Sequence, residues 1–428
     1  MVFDNDRLRV LVISHNVFSD NTSMGKTLSS YFCGFDPDNV AQLFFHSETP
    51  SSGVCDLYYR ITDKEMIKSV FFRKSGTVVS SVKDAAPLRS PRKENGVESS
   101  LYQKGRRRTP MIYFLRNLWW KLGKWNTKAL RNWIDDFSPD CVFLASGDYS
   151  FAYDIALFIA KKRGIPLYIS CMDDYYFNNK NSDSVFGRIV HKSFMKHVGK
   201  AVDYSNAIFC ICDKMSRDYS AFFNKKCVTL HTSASFDGKL SEPKERCISY
   251  LGNLGLGRAD RLVEIGRALK ALNADIDHID VYSSETRESI LSKLTPENGI
   301  VFHGKIGADE VKRVIGKSLA VIHTESFGEK SENKVKYSVS TKIADSLMSG
   351  TCIFAYGPSD VASIEYLEQN GAALCVTSPE KLSEGLKTLL TDSFTVDNIL
   401  VRSVELAKKN HTKMNSFNVI KSELAFLA

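Results

Sequence analysis

Tyr337-Ser338-Val339-Ser340-Thr341-Lys342-Ile343-Ala344-Asp345-Ser346-Leu347-Met348-Ser349-Gly350-Thr351-Cys352-Ile353-Phe354-Ala355-Tyr356-Gly357-Pro358 is the stretch from which the rest of the chain can be read. It scans as loop, short helix, tight stop, buried strand and loop. Ser340 or Thr341 offers a hydroxyl that can accept a hydrogen bond from a free N–H of the first helical turn. Ile343, Ala344, Leu347 and Met348 share one face at helical spacing. Gly350 stands where a left-handed residue ends a helix. Residues 351–356 form a short, mostly apolar run, the pattern of a parallel strand covered on both faces, and Gly357-Pro358 closes it. In open α/β sheets ligands bind at that carboxyl edge. The helix start, its two hydroxyls and Lys342 suit a phosphate. The same residues also suit an ordinary helix–strand unit with a capping serine.

Working outward, the α/β alternation repeats on both sides. Strands are expected at 247–251, 279–283, 300–304, 319–324, 351–356 and 372–376, with helices in the gaps. An earlier series runs through 8–14, 41–46, 55–61, 140–146, 166–171, 207–212 and 227–231. Residues 232–246 are polar and read as a linker. The chain therefore divides into an N-terminal domain over 1–235 and a second domain over 245–395. The last helices, over 396–428, are expected to pack back toward the first domain. Each half is compatible with a parallel sheet carrying helices on both faces. Residues 73–110 are polar, without periodicity, and read as a long loop.

At 428 residues the chain is too long for one core. Its net charge of +8 is mild for this size and points to an anionic partner without naming it. Ten cysteines are present, most of them in or beside apolar strand-like runs, with no C-x-x-C pair and no zinc spacing. They read as reduced core thiols, so no disulfide framework, no metal and no cofactor is expected. No stretch has the pattern of a secretory leader or of a membrane span, and a cytoplasmic location is expected.

All four tryptophans fall within 104–133, interleaved with Arg106, Arg107, Arg108, Arg116, Lys121, Lys124, Lys128 and Arg131. A basic helix with aromatic anchors can lie on an anionic membrane surface. The competing reading is an amphipathic helix that faces its own core. The basic stretch is isolated and no base-stacking module accompanies it, so nucleic acid is not expected as a partner.

Several clusters fall at strand ends. In the first half, Ser23-Met24-Gly25-Lys26-Thr27-Leu28 opens a helix after a strand and a polar loop. It lacks the spacing of a dinucleotide or Walker loop. Cys171-Met172-Asp173-Asp174-Tyr175-Tyr176 offers two acids and two tyrosines that can grip a hydroxyl-rich ligand or cap the next helix. In the second half, Gly252-Asn253-Leu254-Gly255-Leu256-Gly257-Arg258 permits close backbone approach and brings a fixed positive charge. His323 to Gly328 and Ser340-Thr341-Lys342 with Asp345 complete the set. Cations for a diphosphate and a carboxylate for a ribose diol would suit a nucleotide.

In the order of these clusters the chain resembles the GT-B glycosyltransferases, and within them glycosyltransferase family 4. The resemblance covers essentially the whole chain and is strongest over 248–367, with 338–350 and 355–358 closest to enzymes of bacterial surface-polysaccharide synthesis. It implies two Rossmann-like domains facing an interdomain cleft. It implies transfer of a sugar from a UDP- or GDP-linked donor with retained configuration, without a metal. The acceptor it implies is a saccharide, of the lipid-linked kind, on the inner face of the plasma membrane. By residue, it places Arg258 and Lys342 at the diphosphate, Glu325 by the donor sugar and Asp345 at the ribose. Gly252, Asn253, Ser340 and Thr341 then line the donor site. Gly25 and Lys26 meet the diphosphate from the first domain. Asp173 or Asp174 is the candidate for orienting a sugar hydroxyl. The chain departs from the family pattern at several points. Glu325 and Asp345 are far apart where the family has two closely spaced glutamates, and the lysine-rich stretch 329–337 lies between them. Asn253 replaces an arginine, and Cys171 or Met172 stands where relatives carry histidine. Those departures keep two other readings open, a sugar-nucleotide epimerase on the same fold and a non-catalytic partner subunit.

Overall fold

The computed structural model describes residues 8–70, 75–79, 109–178, 184–236, 238–240 and 242–425. Most of the loop expected over 73–110, and Arg106, Arg107 and Arg108 with it, lie outside the described residues.

The chain forms two compact units. The first takes the chain up to Ile211, Ser216–Leu230 and the stretch from Phe417; the second takes Cys212–Met215 and His231–Ser416. The helix Ser393–Asn410 thus lies in the second unit, where it packs on the helix Thr341–Ser349.

The first unit is built on an eight-stranded sheet. Its strands are β1 (Val10–Ser14), β2 (Val40–Phe44), β3 (Leu57–Arg60), β4 (Thr77–Val79), β5 (Cys141–Ala145), β6 (Leu167–Cys171), β7 (Ala207–Cys210) and β8 (Cys227–Thr229). They lie in the order β4-β3-β2-β1-β5-β6-β7-β8. Every pairing is parallel except that of β3 with β4. The edge strand β4 corrects the reading of 73–110 as loop throughout. Its three residues are too few to show a period of two, and only pairing with Tyr58, Tyr59 and Arg60 makes them a strand.

The second unit carries a six-stranded, wholly parallel sheet. Its strands are β9 (Glu245–Leu251), β10 (Ile279–Tyr282), β11 (Ile300–Gly304), β12 (Ser318–Thr324), β13 (Cys352–Tyr356) and β14 (Leu374–Val376), in the order β11-β10-β9-β12-β13-β14. In both sheets the first strand sits inside. The chain winds outward to one side, returns, and winds outward to the other, which is the doubly wound Rossmann order.

Strand residues alternate between two helical layers, because successive side chains leave a strand on opposite faces. In the second unit Ile248, Tyr250, Ile322 and Phe354 join the helices Arg258–Ala271 and Leu382–Thr391 in one apolar cluster. Leu251, Val321, Ile353 and Ala355 join the helices Thr341–Ser349, Ala362–Gln369 and Ser393–Asn410 in the other. The opening stretch forms as read. Ser340 caps its helix, Gly350 ends it at φ 73°, and all five residues of β13 are buried. No helix among the described residues is long and apolar enough to cross a membrane.

Candidate functional site

The strand order of the second unit reverses between β9 and β12, and an open sheet leaves a crevice at the carboxyl ends of such a pair. A cavity of about 230 Å³ lies there. Gly252 and Asn253 reach it from the end of β9, and His323 and Glu325 from the end of β12. Arg258 enters from the first turn of its helix, with Ser340, Lys342 and Ser346 from the opposite wall.

The loop before Arg258 is held by its own hydrogen bonds. Tyr250 donates its hydroxyl to the Asn253 carbonyl at 2.6 Å, and the Asn253 side-chain oxygen accepts from the Gly255 N–H at 2.6 Å. Leu256 and Gly257 then take φ values of 57° and 78°, which turn the chain sharply into the helix. A Cβ on Gly257 would lie 2.4 Å from the Ser326 hydroxyl, so the position needs glycine both for its φ and for space.

Arg258 meets Glu325 as a fork. Its Nε and Nη2 donate to the two carboxylate oxygens at 3.0 and 2.7 Å. Such bidentate contacts are short, strong and directional. Burial pushes the Glu325 carboxyl up from its ordinary pKa, and the Arg258 charge opposes that rise. Lys342 differs. Its ammonium makes no ion pair or hydrogen bond among the described residues, and burial pulls its pKa down, with Asp345 opposing and Arg258 adding to the fall. His323 sits between them chemically. Burial, with a contribution from Arg258, pushes its pKa down to about 3, so the ring is neutral at physiological pH. Its Nε2 lies 2.8 Å from the Ser363 hydroxyl.

The cavity wall thus carries two cations and one carboxylate that already has a partner. That balance leaves a positive charge to meet an anion, and Lys342 is the group that a phosphate oxygen can engage without breaking an existing contact.

Of the residues singled out by sequence, Gly252, Asn253, Arg258, Glu325, Ser340 and Lys342 converge on this cavity. Thr341 is exposed, and its neighbour Ser340 makes the cap, accepting from the Lys342 N–H at 3.3 Å. Asp345 does not present its carboxylate to the wall as expected. The oxygen Oδ1 accepts from the Ser235 N–H at 2.7 Å and from its hydroxyl at 2.8 Å. Lys342 and Ser346 are about one turn apart and share the cavity side, whereas Asp345 is rotated about 100° from Ser346. Sequence reasoning missed Ser346, one turn after Lys342 on its side of the helix, and Ser363, the partner of His323.

Gly25, Lys26 and Asp173 belong to the first unit. Gly25 is buried where a Cβ would meet that of Ser19 at 2.5 Å, and Lys26 is exposed on the next position. Asp173 stands partly exposed just past β6, its Oδ1 accepting from the Asp174 N–H at 2.9 Å. Asp174 is a structural group: one oxygen takes the Tyr219 hydroxyl at 2.8 Å and the N–H groups of Tyr176 and Phe177 at 3.1 and 3.0 Å. Also unforeseen near the ends of β1 and β5 is a ring contact of His15 with Tyr149, centroids 4.6 Å apart, over which Arg116 stacks at 4.3 Å.

Three of the four tryptophans are tied to their own unit. Trp120, 2% exposed, stacks on Phe151 at 3.9 Å and donates its Nε1 hydrogen to Asp63 at 2.7 Å. Trp125 meets Phe158 and Trp133 meets Tyr59.

No protein-family model matches the chain, and no curated protein matches it in sequence. Solved structures match it throughout. HepE of Anabaena in complex with UDP superimposes with a TM-score of 0.61 at 11% identity, covering 98% of this chain and 100% of that one. The lipopolysaccharide outer core galactosyltransferase WaaB, in apo form, gives 0.59 at 11% identity, covering 98% and 100%. The α,α-trehalose 6-phosphate synthase of Burkholderia multivorans gives 0.60 at 9% identity, covering 98% and 97%. At these identities the likeness is one of fold: both Rossmann-like units belong to the GT-B architecture.

Proposed function

We propose that this GT-B chain is a glycosyltransferase that moves a sugar from a nucleotide-sugar donor to a saccharide acceptor. The observation that carries the reading is the cavity at the switch point of the second sheet, where Lys342 faces inward with its charge uncommitted beside Arg258. The neighbour HepE, solved with UDP, supports a nucleoside diphosphate as the ligand class.

In the proposed reaction the bond between the sugar and the diphosphate oxygen breaks, and its electron pair stays on that oxygen. Lys342 and Arg258 face the charge that grows there, and one fixed cation of this kind typically lowers a barrier by about 3 kcal/mol. The acceptor hydroxyl forms the new glycosidic bond and gives its proton to the leaving phosphate oxygen on the same face, so configuration is retained. Glu325, held flat by Arg258, lies toward the donor sugar, and Asp173 orients a sugar hydroxyl. We infer a lipid-linked saccharide as the acceptor, presented at the inner face of the plasma membrane; the neighbour WaaB, a lipopolysaccharide outer core enzyme, supports that class.

Thermal unfolding of the purified chain with nucleoside diphosphates and nucleotide-sugars tests the reading. A ligand that binds only the folded state at about 100 times its Kd adds about 2.7 kcal/mol of stability. One nucleotide series is expected to raise the melting temperature, followed by release of the nucleoside diphosphate when an acceptor is supplied. No shift with any of them would overturn the donor site.

A further inference from the structure

The exposed apolar side chains of the first unit are not scattered. On the helix Pro110–Leu122, Met111, Phe114 and Leu115 lie on one face at helical spacing, and Met111 is 55% exposed. On the helix Val185–Tyr204, Val185, Phe186 and Ile189 open the first turns, with Val185 65% and Ile189 60% exposed. The rings of Phe114 and Phe186 meet edge to face at 5.6 Å, so the two helices form one apolar ridge. Large exposed patches of this kind are uncommon on a surface that meets only water.

Among the described residues the two helices of the ridge carry mostly basic charge. Lys192 and Lys196 continue the Ile189 face of their helix, followed by Lys200, and Lys121 stands in the last turn of the other helix. All four are exposed and make no ion pair among the described residues. The helix Pro110–Leu122 has no acidic residue, and Val185–Tyr204 has only Asp203 in its last turn. The nearby acids are occupied: Asp63 by Arg116 and Trp120, Asp148 by the Tyr113 hydroxyl and Asp154 by His197.

We propose that this ridge docks the protein on an anionic membrane surface, with Phe114, Val185, Phe186 and Ile189 entering the headgroup–acyl boundary and Lys192 and Lys196 meeting lipid phosphates. An apolar face bordered by unpaired lysines matches the two layers of such an interface, apolar chains below and negative headgroups above. Trp120 does not serve as an anchor, because it is consumed by the core. The inference deepens the proposed reading of a membrane-borne acceptor, but it rests on surface chemistry and is measured without donor or acceptor, so the two fail separately.

The test is co-sedimentation of the full chain with vesicles of phosphatidylcholine alone and of phosphatidylcholine containing about a quarter phosphatidylglycerol. The protein is expected to pellet with the anionic vesicles and to be released by salt. Phe114→Ser with Ile189→Ser, and separately Lys192→Glu with Lys196→Glu, are each expected to weaken binding at least about tenfold. Their far-UV melting curves should match the parent, since the replaced groups lie outside the core. Failure of the parent to bind anionic vesicles, or unchanged binding by both variants, would overturn the assignment. A concentration-dependent dimer lost in Phe114→Ser with Ile189→Ser, without vesicle binding, would give the ridge to a second copy instead.

Discussion

Lys342 and Arg258 carry the same charge into the same cavity, but their replacement should have opposite signatures. The Lys342 ammonium has no partner among the described residues and burial works against it. Lys342→Ala is therefore expected to leave the melting temperature near the parent value while lowering kcat by about a hundredfold, the usual effect of removing one fixed stabiliser of transition-state charge. An unaltered rate would remove Lys342 from the diphosphate. Arg258 holds a carboxylate that is only 3% exposed. Arg258→Ala should cost about 3–5 kcal/mol of stability, because a buried charge loses its partner. Adding Glu325→Gln to that variant should return much of the stability and none of the activity. Denaturant unfolding of the two variants separates this account from one in which Arg258 serves catalysis alone. The pairing itself is not legible in the sequence, which offers Arg258 and Glu325 each to a ligand; only the placement of the Arg258 helix start beside the end of β12 shows that they contact one another.

At the scale of elements, the loop 252–257 sets where Arg258 points. Its geometry depends on an asparagine that folds back on Gly255, a tyrosine that fixes the Asn253 carbonyl, and two residues at positive φ. Gly257→Ala would combine strain of about 1–3 kcal/mol with a contact against the Ser326 hydroxyl. The expected outcome is a lower melting temperature together with weaker nucleotide binding, since the helix start must shift. If Gly257→Ala bound nucleotide as the parent does, the loop would not be positioning Arg258. The helix Thr341–Ser349 teaches the complementary lesson. Its capping serine, apolar face and terminal glycine could be read directly, because each follows from local hydrogen bonding and periodicity. The orientation of Asp345 could not, because Ser235, its partner, is 110 residues away in the chain.

At the scale of the whole molecule, the passages by which the chain enters and leaves the second unit lie side by side. Ala234 donates its N–H to the His411 carbonyl at 2.8 Å, and the Ser416 hydroxyl donates to the His231 carbonyl at 3.3 Å. Between them His411 is buried and fully bonded. Its Nδ1 hydrogen is donated to the Thr232 carbonyl at 2.7 Å, and its Nε2 accepts from the Tyr366 hydroxyl at 3.0 Å. A proton on Nε2 would make the Tyr366 hydroxyl, which already accepts from Asn410 Nδ2 at 3.0 Å, turn its own hydrogen away and accept a second time. Burial, with His231 beside it, pushes the His411 pKa down to about 4 from an ordinary value of 6.5. Between those two values the unfolded chain binds more protons than the folded one, so stability falls as pH drops and the loss is complete below about pH 4. His411 alone should remove about 2 kcal/mol at pH 5 relative to pH 7 and above. His411→Gln is expected to be less stable at neutral pH but to show a flatter melting temperature between about pH 7 and 5. A slope equal to that of the parent would show that other groups govern the acid transition.

The α/β alternation, the positions of the second unit's strands and the residues at their carboxyl ends follow from the sequence by itself, because buried parallel strands need continuous apolar runs and the intervening helices need a period of 3.6; the doubly wound order itself is set by strand pairing. Six of the singled-out residues meet in one cavity for the same reason: topology delivers strand ends to the switch point. The tertiary structure alone decided what each side chain does once there. It bound Arg258 to Glu325, turned Asp345 to Ser235, left Lys342 uncommitted, drew Trp120 into the core and exposed Phe114 and Ile189. Local sequence determines which backbone groups and faces exist, whereas partners distant in the chain determine which charges are neutralised and which apolar faces remain uncovered.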